Sequence, residues 1–491
     1  MRAVMIMFDT LCREYLSNYG NKWVKTPNFQ RLEEKTITFT QFYGGSMPCM
    51  PARRELHTGR YNFMHRMWGQ LEPFDYSVFE LLQKNGIYCH LVTDHSHYFD
   101  DGGATYHNRY STWEGFRGQE GDRWAPRKLS EKFHFPNEPN KKGISVVQHF
   151  ANRSRQTEEK EMSSVKTVQA GLDFLELYKE EDQWFLQIEC FDPHEPFYAP
   201  EKYRKLYSEL PLEQPYFWPI YGRVSPDITE EQLNSLHKEY AALISMCDYH
   251  LGRILNFFDD NDMWKNTMII INTDHGFLLG EHDWLGKNVA PMYEEVIHLP
   301  FFLSYPNCKS GLRFNELCQT IDIPATLLEY FEIKNELDMD GRSILSILKE
   351  TGKNQHYIIF GTNGGHVSIY DGRYVYMRAS VHPDNGPLKI QTANFCIMRG
   401  FLSKEILDTM YLSEGNRFTN QFPYVELSIP AYIDSYTVGH LLFDLQNDPY
   451  QRTPLINSEI EERMIQNLTD IMKRIEVPHS EYIRLGLESR K

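Results

Sequence analysis

Four short apolar runs in the chain each stop abruptly at side chains that are capable of chemistry. The carboxylates and imidazoles at these positions can bind a cation or transfer a proton. The four polar ends are Asp9-Thr10, Thr93-Asp94-His95, Asp192-Pro193-His194 and Thr273-Asp274-His275. Continuous apolar runs are typical of strands buried on both faces of a parallel sheet, and ligands bind beyond the carboxyl ends of such strands. The pattern therefore predicts one site where the four ends converge.

The sharpest motif in the chain is C-M-P-A-R over Cys49–Arg53, followed by T-G-R over Thr58–Arg60. In isolation, Cys49 would be interpreted as a buried structural thiol. The two motifs at this offset resemble the type I sulfatase family of the alkaline phosphatase superfamily, in which the cysteine of the motif is oxidised after synthesis to formylglycine. The resemblance runs through most of the chain and includes Asp9, Asp274–Gly276, Gly286-Lys287, the segment around 240–255, Leu442–Leu445 and Asn447–Pro449.

The resemblance implies an enzyme that hydrolyses a small O-sulfate ester with a formylglycine nucleophile made from Cys49. A hydrated aldehyde carries two hydroxyls on one carbon, so one can attack the sulfur and the other can lose its proton to expel sulfate. An ordinary serine or cysteine would keep a sulfate ester that water removes slowly. The motif also gives Arg53 the role of stabilising the hydrate and the charge around the sulfuryl group. The modification implies a partner, either a formylglycine-generating enzyme or an anaerobic sulfatase-maturating enzyme.

The resemblance further implies one divalent metal, held by Asp9, Asp274, His275 and the modified side chain of Cys49. Hard oxygen ligands suit calcium, magnesium or manganese, and the imidazole would favour manganese on softness alone. Relatives often hold calcium with an Asp-His pair, so the resemblance favours calcium, with manganese or magnesium as the alternatives. One position departs from the family, because many relatives have a second acid where this chain has Thr10. Phosphonate monoester and phosphodiester hydrolases of the superfamily also lack that acid, and this activity is the alternative function.

Two further cationic residues match family positions beside the leaving group. His194, within D-P-H-E-P-F, resembles the histidine near the leaving-group oxygen, and Lys287 resembles the lysine that touches the same sulfate oxygens. A lysine there neutralises charge on the departing alkoxide, and a protonated histidine can deliver a proton. The resemblance thus predicts that both residues are catalytic.

The segment after the second strand falls where relatives place a lysine and a histidine beside the nucleophile. Here the lysine is absent, and His95 matches the spacing of the histidine that helps the hydrate collapse. His97 is the alternative for that role and a candidate substrate contact. Gln70, on spacing alone, and Thr10 are further substrate candidates.

The elements that must position these residues follow from the alternation of strands and helices. Eight apolar residues recur at steps of three and four between 231 and 258, which predicts one long amphipathic helix. Thr26-Pro27 predicts a capped helix start, and Asp322–Pro324 opens another helix. The alternation predicts an α/β fold: a doubly wound, mostly parallel central sheet with helices on both faces.

The character of the chain changes near residue 350. We predict a catalytic α/β domain over 1–350, a polar linker over 350–354, and a smaller C-terminal antiparallel α+β domain over 355–491. The signals for the second domain are a hairpin over Ser368–Arg378 with a two-residue turn at Asp371-Gly372, and an amphipathic helix over Ser458–Val477. Two loop-rich insertions, 100–165 and 380–435, are expected either to cap the pocket or to form an interface, and a homo-oligomer remains open.

Composition excludes several classes of function. Lys plus Arg is 51 and Asp plus Glu is 67, and this net charge of −16 argues against nucleic acid and anionic membranes as partners. The longest apolar runs, such as Ala3–Phe8, are far shorter than the roughly 20 residues that span a bilayer. The eight cysteines are scattered, and no signal peptide is recognisable, which predicts a cytoplasmic protein. Aromatic residues make up 14%, and aryl, steroid and sugar sulfates all fit as substrates.

Overall fold

The structure is a computed structural model and describes residues 1–128, 140–209, 215–349 and 357–490. The strands in these residues are β1 Arg2–Phe8, β2 Ile37–Phe39, β3 Phe42–Tyr43, β4 Ser46–Met47, β5 Tyr88–Thr93, β6 Thr112–Gly115, β7 Trp184–Cys190, β8 Gly222–Arg223, β9 Thr267–Asn272, β10 Leu278–Leu279, β11 Trp284–Gly286, β12 Phe301–Ser304, β13 Leu312–Phe314, β14 Cys318–Gln319, β15 Ile358–Thr362, β16 Val367–Tyr370, β17 Tyr374–Arg378, β18 Lys389–Thr392, β19 Tyr411–Ser413, β20 Tyr424–Ser428 and β21 Leu441–Asp444. The α-helices are α1 Pro27–Lys35, α2 Cys49–Thr58, α3 Val78–Lys84, α4 Ala104–His107, α5 Ile144–Arg153, α6 Ser163–Tyr178, α7 Glu201–Arg204, α8 Glu230–Asp260, α9 Glu294–Ile297, α10 Asp322–Tyr330, α11 Ile344–Lys349, α12 Lys404–Leu407, α13 Ser458–Arg474 and α14 His479–Arg484.

The central sheet has eight strands in the order β13-β2-β12-β9-β1-β7-β5-β6. The four apolar runs of the sequence form β9, β1, β7 and β5, which are adjacent and parallel. Their carboxyl ends therefore lie along one edge of the sheet, and the predicted convergence of the four polar ends has its structural basis. The β12 strand is antiparallel to both of its neighbours, so the sheet is mixed but mostly parallel.

Both faces of this sheet are covered by helices. Successive side chains of a strand point to opposite faces, and β1 divides its residues accordingly. Val4, Ile6 and Phe8 pack in one core with residues of α1, α6 and α8. Ala3, Met5 and Met7 pack in a second core with residues of α2, α3 and α10. This confirms the predicted doubly wound α/β architecture.

The long predicted helix is α8, which extends the predicted segment by a few residues and begins at a capping box of Thr229 and Gln232. The start of α1 differs from the prediction in its capping contact. The Thr26 hydroxyl is bonded to Ser17, and the first N–H groups of α1 donate instead to Asp248 of α8, with Phe29 N 2.8 Å from Asp248 Oδ1. The carboxylate of Asp248, on a helix distant in sequence, therefore accepts the hydrogen bonds that the local pattern assigned to Thr26.

A second, smaller sheet has the order β21-β17-β16-β15-β4. The strands β16 and β17 form the predicted hairpin, and α13 is the predicted C-terminal helix, ending at Arg474. The turn differs from the prediction by one residue: the Asp371 N–H donates to the carbonyl oxygen of Tyr374 over 3.2 Å, which places the turn at Gly372-Arg373 instead of Asp371-Gly372. The β4 strand, just before Cys49, pairs in parallel with β15, so this sheet also supports the start of α2.

The linker predicted over 350–354 lies outside the described residues, and the division into two domains stays a prediction. The insertion 380–435 contains the three-stranded sheet β18-β20-β19. Across the described ranges, no helix has both the length and the hydropathy needed to cross a membrane.

Candidate active site

Cys49 is the first residue of α2 and lies at the edge of the sheet where β1 and β9 end. Its side chain is buried, and the Sγ atom is 3.1 Å from Nε2 of His275. Burial first, and then the carboxylate of Asp9, raises the pKa of the Cys49 thiol well above its usual range. The unmodified side chain is therefore held as a thiol, which is a poor nucleophile because the thiolate is the reactive form.

Four residues form a compact group of potential metal ligands. One ligand atom from each of Asp9, Cys49, Asp274 and His275 lies within 4.8 Å of the others, and all four residues are buried. The Nδ1 atom of His275 is 3.0 Å from the carbonyl oxygen of Gly276, which turns Nε2 toward the group. Burial lowers the pKa of His275, so the ring is neutral and available as a ligand.

Arg53, one helical turn after Cys49, is fully buried among three carboxylates. Its Nη2 is 2.9 Å from Asp9, its Nη1 is 2.7 Å from Asp274, and its Nε is 2.8 Å from Glu189. One guanidinium cannot balance three carboxylates by itself, and buried charges are normally paired or bound to metals. The oxygen-rich, acidic donor set therefore fits a hard divalent cation, and it does not distinguish calcium from magnesium or manganese.

His194 and Lys287 lie beside this group on the wall of a pocket. The Nζ atom of Lys287 is 3.3 Å from Oγ1 of Thr10 and 3.6 Å from the carboxylate of Glu195. The His194 ring bonds through Nδ1 to the carbonyl oxygen of Glu195. Burial, followed by the charge of Lys287, lowers the pKa of His194 well below its ordinary value. An anionic ester in the pocket would oppose that shift and favour the imidazolium form.

His95 and Thr10 also lie in this region. His95 is fully buried with Nδ1 3.9 Å from Asp9 Oδ2, and neither ring nitrogen has a hydrogen-bond partner among the described residues. Burial, followed by the charge of Arg53, lowers the pKa of His95 well below its ordinary value. The Thr10 hydroxyl is 2.6 Å from Asp9 Oδ1 and donates to it, so it supports this ligand rather than replacing the missing acid.

The other two sequence candidates are separated by the fold. His97 lines the pocket, with Nδ1 3.2 Å from a carboxylate oxygen of Asp100. Gln70 is buried outside the pocket lining, and its amide donates to Glu72 over 3.1 Å. The structure therefore brings His97 to the pocket and does not bring Gln70 there.

The pocket has a volume of about 700 Å³ and leads to Cys49. Both loop-rich insertions contribute residues to the wall of this pocket. Glu120 and Lys141 come from the first insertion, and Ile397–Arg399 and Tyr432 come from the second. Part of the pocket wall is therefore drawn from the segments that the sequence pattern left without a role.

A buried polar network joins the ends of β5 and β7. The Nε2 atom of Gln119 is 2.7 Å from Asp94 and 3.3 Å from Asp192, and the Phe191 N–H donates to Asp94 over 2.8 Å. Asp94 precedes His95, so the network fixes the strand end that carries this histidine. Burial, followed by the charge of Asp192, raises the pKa of Asp94 to about 8.

Sequence reasoning did not identify Glu189, Glu195 and Gln119 as part of the site. Glu189 lies inside the apolar run W-F-L-Q-I-E-C-F, where an acid in a buried strand is a signal for a paired charge. Glu195 is the fourth residue of the D-P-H-E-P-F motif. Gln119 carries no local signal, because its partners are 25 and 73 residues away.

Comparison with known proteins agrees with this geometry. A family model described as Sulfatase matches residues 2–333. The chain is 21% identical to an arylsulfatase of Clostridium perfringens over 389 residues, covering 73% of this chain and 80% of the relative. It is 21% identical to human arylsulfatase K over 473 residues, covering 92% of this chain and 78% of the relative.

Two solved structures share the fold over nearly the whole chain. One is a protein in complex with its substrate D-glucosamine-2-N,6-O-disulfate, with a TM-score of 0.66, 14% identity, and coverage of 97% of this chain and 98% of that one. The other is the phosphonate monoester hydrolase of Agrobacterium radiobacter, with a TM-score of 0.65, 17% identity, and coverage of 97% and 96%. Taken together with the family match, these findings show that the chain belongs to the sulfatase family, the sulfuric ester hydrolases of the alkaline phosphatase superfamily.

Proposed function

We propose that the protein hydrolyses a small O-sulfate ester through a formylglycine made from Cys49. The observation that carries the proposal is the position of this side chain. It starts a helix at the carboxyl edge of the sheet, belongs to a buried group of acidic ligands, and lines the pocket together with His194 and Lys287. A modified side chain here would meet an ester that enters the pocket.

The proposed metal ligands are Asp9, Asp274, His275 and the modified side chain of Cys49. A bound divalent cation would supply Lewis-acid chemistry, which lowers the pKa of a hydroxyl and neutralises charge on the sulfate. From the family resemblance we propose calcium, with manganese or magnesium as alternatives. Arg53 would hold Asp9 and Asp274 in place and add a positive charge beside them.

The reaction then follows from the two hydroxyls of the hydrated aldehyde. One hydroxyl loses its proton to solvent and its oxygen forms a bond to sulfur, while the bond from sulfur to the ester oxygen breaks and the alkoxide leaves as the alcohol with a proton from His194. The second hydroxyl gives up its proton, the carbon returns to the aldehyde, and the bond from that carbon to the sulfate oxygen breaks. His95 is the proposed acceptor of this proton, because its ring is held neutral and has unpartnered nitrogens among the described residues.

The leaving alcohol is stabilised on the opposite wall. We assign Lys287 to neutralise the sulfate and the departing oxygen, and His194 to deliver a proton once an anionic ester has raised its pKa. Removing one such preorganised contact costs about 10²-fold or more in rate. The substrate is an aryl, steroid or sugar sulfate, and the maturing partner is a formylglycine-generating or anaerobic sulfatase-maturating enzyme.

A second candidate function is hydrolysis of phosphonate monoesters or phosphodiesters. Thr10 supports it, because this residue stands where many sulfatases have a second acid. The likeness to a phosphonate monoester hydrolase shows the fold alone.

Turnover of a matched substrate panel separates the two functions. The protein is co-produced with a formylglycine-generating enzyme, saturated with calcium, and assayed on an aryl sulfate, sugar sulfates and a phenyl phosphonate ester. We expect the highest kcat/KM on a sulfate ester and no turnover by Cys49→Ala. A large preference for the phosphonate ester would replace the sulfatase proposal with the second candidate.

A further inference from the structure

Glu195 is a buried carboxylate on the wall of the active-site pocket, and the proposed chemistry gives it no role. It follows His194 directly, and its side chain is only 3% exposed. One oxygen, Oε1, accepts a hydrogen bond from the hydroxyl of Tyr221. The other oxygen, Oε2, makes no hydrogen bond in the described part of the chain.

A buried carboxylate oxygen without a hydrogen bond is unusual and costs free energy. Two groups lie close to Oε2: the positive Nζ of Lys287 at 3.6 Å and Nδ1 of the His194 ring at 3.2 Å. The His194 N–H is directed to the carbonyl oxygen of Glu195 instead. The charge of Lys287 therefore holds the carboxylate in place, and the buried oxygen Oε2 keeps an unused acceptor position beside the pocket.

The position of Oε2 indicates which donor fits it. The oxygen lies next to both residues that the proposed function places beside the leaving-group oxygen. A carboxylate repels the sulfate group itself, so the donor must come from the alcohol part of the ester. Among the donors of the alcohol, a hydroxyl on the carbon next to the sulfated carbon is the one that lies nearest to the ester oxygen, and so nearest to this pair of residues.

The rest of the wall suits such an alcohol. Trp68, Tyr221 and Tyr432 line the same pocket and offer aromatic faces against which a ring can pack. Pockets of this kind fix a ligand with a few polar groups among apolar surfaces. A polyhydroxylated ring satisfies both features, whereas a simple aryl sulfate has no hydroxyl to give to Glu195.

We propose that Glu195 is a specificity-determining residue that accepts a hydrogen bond from a hydroxyl adjacent to the sulfate ester, and so selects sugar sulfates with a free neighbouring hydroxyl. This inference rests on the proposed sulfatase function. A hydrogen bond to a charged group changes binding by about 10- to 100-fold, which sets the expected size of the preference. A site built to bind a hydroxyl also discriminates strongly against analogues that lack it.

The test compares monosaccharide O-sulfates with deoxy analogues that lack the hydroxyl next to the ester. For the best pair, wild type should prefer the hydroxylated substrate by about 10- to 100-fold in kcat/KM. Glu195→Met keeps the length of the side chain without the acceptor and should bring this ratio close to one, with Glu195→Gln in between. The control is Glu239→Gln. Glu239 is a buried carboxylate that pairs with Arg204 and does not line the pocket, so this variant should keep the wild-type ratio.

An equal ratio in wild type and Glu195→Met would overturn the proposal, because Glu195 would then act only through His194 or Lys287. Hydrolysis of 4-nitrophenyl sulfate with no turnover of any sugar sulfate would overturn it as well. Failure of the sulfatase function is a separate result, seen as preference for phosphonate esters. In that event the same pairs of alcohols are compared as phosphonate monoesters, and the ratio still decides the role of Glu195.

Discussion

Arg53 of α2 and Glu189 of β7 form a fully buried ion pair, with 2.8 Å between Nε and Oε1. The pair joins the helix that begins with Cys49 to the middle of the central sheet. The same guanidinium also contacts Asp9 and Asp274, the two carboxylates that we assign to the metal. These two carboxylates and Glu189 therefore share one positive charge. The stability of this region should therefore depend on the metal.

Arg53→Met should destabilise the protein more after metal removal than before it. Breaking a buried ion pair costs about 3–5 kcal/mol of unfolding free energy, because the partner carboxylates are left without a counter-charge. A bound cation would compensate the charges of Asp9 and Asp274, but not that of Glu189. Urea unfolding with and without a chelator measures the difference. Arg54→Met, which breaks the neighbouring buried pair with Asp75, is the control and should lose the same stability in both conditions. A chelator-independent loss for Arg53→Met would contradict the assigned metal site.

Asp274→Asn should lose bound metal together with activity. The substitution keeps the size of the side chain but removes the charge that a hard divalent cation requires. Elemental analysis of the purified variant measures the metal directly. Asp248→Asn is the matched control, because this buried carboxylate only caps α1, and the variant should keep full metal content. Full occupancy in Asp274→Asn would show that the metal is held elsewhere.

His194→Ala should slow poor leaving groups more than good ones. A phenolate from an activated aryl sulfate is stable without a proton, whereas a sugar alkoxide needs one. The measurement is kcat/KM of wild type and variant on a series of sulfate esters whose alcohols differ in pKa. A steeper dependence in the variant is expected. Equal losses across the series would mean that His194 binds sulfate and transfers no proton.

Asp94→Asn should flatten the loss of stability that accompanies a rise in pH from 3.8 to about 8. The pKa of Asp94 rises from 3.8 to about 8 on folding, because of burial and then the charge of Asp192, so the folded state holds more protons between these values. The stabilisation that comes from this pKa shift is complete below pH 3.8 and is lost as pH rises to about 8. Asp94 and Asp192 interact, so the pKa of about 8 describes the pair. Unfolding free energies from pH 5 to 9 should fall less steeply in the variant, while the exposed Asp227→Asn keeps the wild-type slope. An unchanged slope in Asp94→Asn would mean that both acids stay ionised.

The sequence was sufficient to predict the features that local patterns determine. Continuous apolar runs identified the four parallel strands, and the motif singled out Cys49, which the structure places at their carboxyl edge. It was insufficient where a contact joins distant residues. Asp248 caps α1 from 220 residues away, and Gln119 reaches two strand ends from an insertion without periodicity. The unpartnered oxygen Oε2 of Glu195 could not be predicted either, because hydrogen bonding and burial depend on the completed pocket.

The measurement that tests the central claim most directly is sulfate turnover as a function of the fraction of Cys49 converted to aldehyde. Preparations with different degrees of conversion are made by varying co-production of the maturing enzyme, and peptide mass spectrometry gives the fraction in each. Turnover should rise in proportion to the aldehyde fraction and extrapolate to zero for the unmodified thiol, whose raised pKa leaves it unreactive. Turnover that is the same in modified and unmodified protein would contradict the formylglycine mechanism.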